Sequence, residues 1–307
     1  MSLRLLEQLS LPGDLTKPNE DSFAYLDGAA LVIDGATPLG PPLLPGQSDA
    51  AWIAQFGARR LAAHLKDGDQ PLEALKHALE DAERSFAGLA RAPVSEKWQL
   101  PCAAMMMAVE LSRHRVPPLR QTTLEEELPP QGSLTSKRSS EIEFLWFGDC
   151  AALIEQKGQV EIVGEAIKNR KEESERAKRA AQKKNLSSAL GVNRPEIEPL
   201  LRAARNRINS GGNWLFSPDP RAAKHVSRRT VRVEDGTRLL LVSDGFLALI
   251  SDYHAYDAPG LIKAAAEKGL ATLGEELRAI ERKDAGGSRF FRFKVSDDAT
   301  ALYFQLI

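Results

Sequence analysis

Four short acidic spots in this chain share one setting: each lies where an apolar, strand-like run begins or ends. Glu20-Asp21 stand just before the run 23–26, and Asp34, followed by Gly35, closes the run 29–33. Asp244, followed by Gly245, closes the run 239–243, and Asp297-Asp298 stand just before the last run, 300–307. A carboxylate at the mouth of a buried strand is held by a rigid element yet reaches its open end, so several mouths can converge on one point. Hard oxygen donors that converge in this way suit Mg²⁺ or Mn²⁺, which favour octahedral oxygen coordination and retain water. Taken singly, Asp and Gly are also ordinary turn residues, Asp because it bonds its own backbone and Gly because it accepts positive φ. The joint setting of the four spots favours a shared centre.

To bring those spots together the chain has to build sheets. Asp27-Gly28, between the runs 23–26 and 29–33, is a hairpin signal. A Pro- and Gly-rich loop, 38–46, leads into two amphipathic helices. The first, about 48–66, carries Ile53, Gly57, Leu61 and Leu65 on one face; in the second, Leu72, Leu75, Leu79, Ala82, Phe86 and Leu89 recur at helical spacing. Ser48-Asp49 reads as a helix cap rather than a nucleophile. The runs 103–111 and 142–147 read as strands, and 149–154 with 160–163 as a hairpin around Gln156-Lys157-Gly158. Helical patterns follow at 195–208, 246–250, 258–268 and 272–282, with a turn at 210–213 and a strand at 238–243.

Two segments stand apart. The polar, Pro-rich stretch 113–141 is too long for a hairpin loop and reads as a surface insertion. The stretch 168–184 is highly charged with mixed signs, which reads as a solvated helix face rather than a nucleic-acid patch. Strands and helices come in clusters rather than as a βαβ series. This favours α+β layers over a parallel sheet, in a single domain spanning 1–307.

Composition narrows the function further. The 41 basic and 42 acidic residues nearly cancel, so there is no overall field for nucleic acid or an anionic membrane. No window approaches the run of about 18 apolar residues that a membrane span needs, and the N-terminus lacks a signal-peptide core. These two readings place the protein in the cytoplasm; Cys102 and Cys150 lie in separate apolar runs and read as buried free thiols in a reducing cytosol, with a disulfide as the alternative. The five histidines show no His-Glu-x-x-His spacing, and His64 and His77 read as surface or boundary residues of helices. A Walker loop and a dinucleotide fingerprint are both missing, and the four tryptophans read as core or interface residues rather than stacking platforms.

The order of the acidic spots carries a resemblance. Asn19-Glu20-Asp21-Ser22-Phe23, Leu31-Val32-Ile33-Asp34-Gly35, Phe147-Gly148-Asp149-Cys150-Ala151, Leu241-Val242-Ser243-Asp244-Gly245 and Asp297-Asp298-Ala299-Thr300 resemble, in order, motifs of bacterial protein phosphatase 2C-like enzymes. They span nearly the whole chain, and the resemblance implies an α+β fold of four layers, α/β/β/α, with two antiparallel sheets sandwiched between outer helices. The resemblance implies two Mn²⁺ or Mg²⁺ ions held by Glu20, Asp34, the Gly35 carbonyl, Asp244 and Asp297, with Asp34 bridging and Asp21 orienting a water. The implied reaction is hydrolysis of a phosphomonoester by a metal-bridging hydroxide, with phosphorylated serine or threonine of a protein as substrate. The arginine that the family places four residues before the Glu is Thr16 here, with Lys17 beside it; these two take the phosphate-binding position. Two alternatives stay open: a pseudophosphatase that binds a phosphorylated partner, and a phosphatase of small metabolites.

Overall fold

A computed structural model describes residues 2–46, 48–111, 139–167, 194–290, 292 and 294–307. The described residues form ten strands: β1 Leu3–Leu11, β2 Asp21–Leu26, β3 Ala29–Gly35, β4 Ala103–Glu110, β5 Ser139–Phe147, β6 Ala151–Gln156, β7 Gln159–Val163, β8 Ser227–Glu234, β9 Arg238–Val242 and β10 Ala299–Leu306. They form two five-stranded antiparallel sheets, ordered β1-β10-β9-β6-β7 and β2-β3-β4-β5-β8. The helices are α1 Asp49–Lys66, α2 Pro71–Leu89, α3 Arg194–Arg205, α4 Asp244–Ser251, α5 Ala258–Lys268 and α6 Leu270–Lys283. This is the expected α+β sandwich.

Three apolar clusters fill the three spaces between four layers. In β3, Leu31 and Ile33 face α1 and α2, while Ala30 and Val32 face the opposite sheet. In β9, Leu240 and Val242 face α4 to α6, while Leu239 and Leu241 face inward. Strands covered on both faces carry apolar residues on both, which is why β3, β4 and β9 read as near-continuous apolar runs and β10 as one interrupted only at Thr300 and Gln305. The hairpin at Asp27-Gly28 is present, with Gly28 at φ +81°.

Two strands carry no clear sequence signal. In β1 the register shifts between Leu5 and Glu7, so Leu5 pairs with Phe304 but Glu7 with Tyr303. Such a bulge turns the strand over: Leu3 and Leu5 pack between the sheets, whereas Leu9 packs under the helices. No single alternation survives it. β8 is an edge strand with three arginines, Arg228, Arg229 and Arg232, and one fully buried residue, Val233; edge strands blunt their free side with charge. A third difference concerns Asp244. The strand ends at Val242, Ser243 caps α4, and Asp244 lies in the first helical turn. Most of the expected insertion, and the charged stretch from 168 on, fall outside the described residues.

Phe144 is fully buried in the layer between the sheets. Phe144→Ala is expected to lower unfolding free energy by about 3–5 kcal/mol. Leu15→Ala, at a side chain 91% exposed, should change it by less than about 0.5 kcal/mol. Urea denaturation of the two variants checks the contrast.

Candidate functional site

The acidic spots meet at one end of the layer between the sheets. Antiparallel pairing sets Asp21 of β2 directly opposite Asp34 of β3. Asp34 shares the parity of Ala30 and Val32, so it faces the other sheet. From that sheet, Ser243 Oγ donates to Asp21 Oδ2 at 2.8 Å and accepts from the Thr300 backbone N–H at 2.9 Å. Thr300 Oγ1 lies 2.9 Å from Ser10 Oγ, which accepts from Asn19 Nδ2 at 2.9 Å, and Asn19 Oδ1 accepts the Asp21 N–H. One polar chain thus ties β1, β2, β9 and β10 together at the site.

The glycines following the aspartates have a different job from the one their turn chemistry suggests. Neither Gly35 nor Gly245 has positive φ. A Cβ on Gly35 would lie 2.5 Å from the Ala50 carbonyl oxygen and 2.7 Å from that of Glu20. A Cβ on Gly245 would lie 1.9 Å from the Asp298 carbonyl oxygen. Both glycines permit close backbone approach, which brings Asp34 toward Glu20 and Asp244 toward Asp297 and Asp298.

The other sequence-predicted residues have defined partners. Glu20 Oε1 accepts from Ser48 Oγ at 2.6 Å and Oε2 from Thr37 Oγ1 at 2.7 Å. Asp297 Oδ1 accepts from Lys294 Nζ at 2.5 Å and from the Asp298 N–H at 3.0 Å. Thr16 donates its N–H and hydroxyl to Asp14, and Lys17 Nζ lies 3.5 Å from Asp14 Oδ2 with its side chain 72% exposed. Those contacts hold the two residues in an exposed turn closed by Asp14.

Four further residues contribute beyond the ligand set expected from the sequence: Asp298 and Asp149 lie within the motifs without a role assigned there, whereas Lys294 and Arg205 carry no sequence signal. Asp298 clamps the loop before β2, accepting from Gly13 N–H at 2.7 Å and Glu20 N–H at 2.6 Å. Asp149, at the Gly148 turn after β5, adds its charge near Asp34; the strand-end rule that marks the other spots extends to it. Lys294 has no spacing that points to the site. Arg205, at the end of α3, donates from Nη1 to the carbonyls of Ala36 at 3.4 Å and Thr37 at 3.2 Å, just past Gly35.

Electrostatics show how crowded the cluster is. Burial, joined by Asp298 and Asp244, raises Asp21 to about 8, although Ser243 and Thr300 oppose the shift. Asp34 is raised well above the carboxylate range by burial, then by Asp244, Asp21, Asp149 and Asp297. Burial disfavours the ammonium of Lys294, but Asp297, Asp34 and Asp244 outweigh it and raise its pKa. Asp21 Oδ1 is buried without a hydrogen-bond partner.

No protein-family model matches the chain, and no curated protein matches it in sequence. Its architecture does match solved structures. The PPM Ser-Thr phosphatase MsPP from Mycobacterium smegmatis, solved in complex with cacodylate, superposes with a TM-score of 0.51 at 17% identity, covering 99% of each chain. The Mycobacterium tuberculosis serine/threonine phosphatase PstP/Ppp gives 0.50 at 15% identity over 100% of this chain and 99% of that one. The fold is that of protein phosphatase 2C. The PP2C phosphatase domain of Bacillus subtilis SpoIIE, solved with a fragment of its regulatory domain, gives 0.50 at 12% identity, covering 97% of this chain and 62% of that one. In this protein phosphatase 2C fold the carboxylates come from strand mouths of both sheets, so the site depends on how the two sheets stack.

The raised pKa of Asp21 has a stability consequence in metal-free protein. With a folded value of about 8 against an ordinary 3.8, the folded state holds a proton that the unfolded chain has released between those limits. Stability is therefore greatest below the ordinary value and falls as pH rises towards 8. Asp21→Asn cannot ionise. In EDTA, urea denaturation at pH 5 and pH 8 should show a smaller pH-dependent loss in Asp21→Asn than in wild type; equal losses would refute the assignment.

Proposed function

We propose that this chain is a metal-dependent phosphomonoester hydrolase that dephosphorylates serine and threonine residues of proteins. In this reading two Mn²⁺ or Mg²⁺ ions are held by Glu20, Asp34, the Gly35 carbonyl, Asp244 and Asp297. The observation that carries it is the concentration of carboxylates around Asp34, with the Oδ1 of Asp21 buried and unpartnered. Such a cluster is costly unless cations neutralise it, and its donors are all hard oxygens. The residues fit the ions.

When bound, two such ions supply Lewis acidity, making water acidic enough to act as nucleophile near neutral pH and neutralising phosphoryl oxygens. The chain's own residues supply position. Ser243 holds Asp21 through Oδ2, which leaves Oδ1 to accept a hydrogen bond from the attacking water. Ser48 and Thr37 fix both oxygens of Glu20, and each oxygen keeps a further lone pair for a ligand bond. Asp298 fixes the Glu20 backbone. No covalent phosphoenzyme is needed, in keeping with buried thiols at Cys102 and Cys150, both pushed up by burial.

Phosphate binding at Thr16 and Lys17 belongs to this reading as a weak contribution, since Lys17 is a flexible point charge shared with Asp14. That same observation favours the second reading, a pseudophosphatase that binds a phosphorylated partner without turnover. We also read 1–307 as one domain acting in the cytoplasm on a phosphoprotein, away from nucleic acid and membrane. Among the described residues no helix is long and apolar enough to cross a membrane.

Hydrolysis of p-nitrophenyl phosphate and of a phosphothreonine peptide, with Mn²⁺ and with EDTA, tests the proposal. Metal-dependent turnover that falls at least about 100-fold in Asp34→Asn and Asp244→Asn is expected. Binding of the phosphopeptide without turnover would establish the second reading instead, and turnover of small phosphates alone would favour a metabolite phosphatase.

Lys294 gives a separate prediction. Its ammonium sits on Asp297 and near Asp34 and Asp244, so an incoming cation meets a tethered one. Lys294→Ala should tighten Mn²⁺ binding about tenfold, the scale of removing roughly 1–2 kcal/mol of like-charge repulsion at an effective dielectric near 20. Calorimetric titration reads this directly; unchanged or weaker binding would show that Lys294 supports the site rather than competing for it.

A further inference from the structure

A second cluster of donors lies at the far end of α1. Ser48, the N-cap of α1, bonds Glu20 at the carboxylate cluster, whereas His64 stands sixteen residues on, about 24 Å along the helix axis. There the turn between α1 and α2 carries Asp69, and α2 carries His77. One ligand atom from each of His64, Asp69 and His77 can be chosen so that all three lie within 4.8 Å of one another. In sequence both histidines read as separate surface or boundary residues, because thirteen positions of chain divide them; the helical hairpin brings their rings to 5.3 Å.

We propose that His64, Asp69 and His77 bind one divalent transition-metal ion of the zinc class, clipping the open end of the α1–α2 hairpin. Imidazole nitrogen suits such ions, and hard cations such as Mg²⁺ compete poorly for it. Bonds of about 2.1 Å at tetrahedral angles would set ligand atoms about 3.4 Å apart. His64 Nδ1 lies 3.4 Å from Asp69 Oδ2, and His77 Nδ1 lies 2.7 Å from the same oxygen. His77 Nδ1 donates to Asp69 Oδ2 in the metal-free arrangement, so binding replaces that proton with the ion, and small side-chain rotations complete the triangle.

The surroundings are those of a ligand histidine. Asp81 Oδ2 lies 2.9 Å from His64 Nε2, and a carboxylate only accepts, so Nε2 carries the proton. In the neutral ring Nδ1 then presents its lone pair towards Asp69, an arrangement that a cation between them satisfies. A carboxylate on the outer nitrogen of a ligating imidazole fixes its tautomer and raises its basicity. Asp81 is itself held by Arg60 and Arg84. His64, Asp69 and His77 are 18%, 29% and 39% exposed at the side chain, so an ion can enter and a water can complete the shell. The rival arrangement is metal-free, with His64 as an imidazolium between Asp69 and Asp81.

The test is independent of the phosphatase reading. Zn²⁺ is titrated calorimetrically into the full chain in excess Mg²⁺, with His64→Ala, His77→Ala and Asp81→Asn in parallel and thermal melts without zinc to verify folding. Wild type should bind Zn²⁺, both histidine variants should lose that binding, and Asp81→Asn should weaken it about 10–100-fold. Co²⁺ added to wild type should give a visible d–d absorption that His77→Ala lacks, which decides the matter even if His64→Ala fails to fold. Equal zinc affinity in wild type and the histidine variants, or no zinc binding by wild type, would overturn the proposal and leave the imidazolium bridge.

Discussion

The constraint on which the rest of the structure turns is the pair of carboxyl groups Asp21 and Asp34, set face to face across β2 and β3 at one end of the space between two sheets. Like charges directly opposite in an antiparallel pair are unfavourable, and Asp149, Asp244 and Asp297 add to the repulsion at Asp34. The fold holds them there by force of packing. Three apolar layers fix the two sheets, and the sheets fix the mouths from which the carboxylates project. The polar relay from Asp21 through Ser243 and Thr300 to Ser10 then locks one sheet's end to the other's.

This arrangement explains why residues remote from the cluster serve it. Arg278 of α6 donates to the carbonyls of Leu11, Pro12 and Asp297 at 3.1, 3.2 and 2.8 Å, so one guanidinium joins the end of β1 to the segment before β10. Asp298 takes the N–H groups of Gly13 and Glu20, and Asp49 takes those of Leu43 and Leu44, anchoring the loop that leads to α1. The loops that carry the candidate ligands are held by hydrogen bonds to charged groups, worth about 1.5–3 kcal/mol each.

Much of this architecture is legible in the amino-acid sequence. Near-continuous apolar runs reveal the doubly covered strands, and the recurrence of acidic residues at their ends points to one centre. What stays hidden has physical causes. The bulge in β1 turns the strand over between Leu5 and Glu7, erasing the alternation that marks a strand. β8 buries too little to show a pattern. The role of Gly245 depends on the Asp298 carbonyl oxygen, and that of Ser243 on Asp21, 222 residues away; no local window contains either partner. His64 and His77 likewise become neighbours only through the antiparallel packing of α1 and α2.

The central claim is that the carboxylates around Asp34 form a two-cation centre. The most direct measurement is anomalous X-ray scattering at the manganese edge from crystals grown with Mn²⁺. Two peaks are expected, both within bonding distance of Asp34, with Glu20, the Gly35 carbonyl, Asp244 and Asp297 as the further ligands. A map with no peak near Asp34 at millimolar Mn²⁺ would contradict the account.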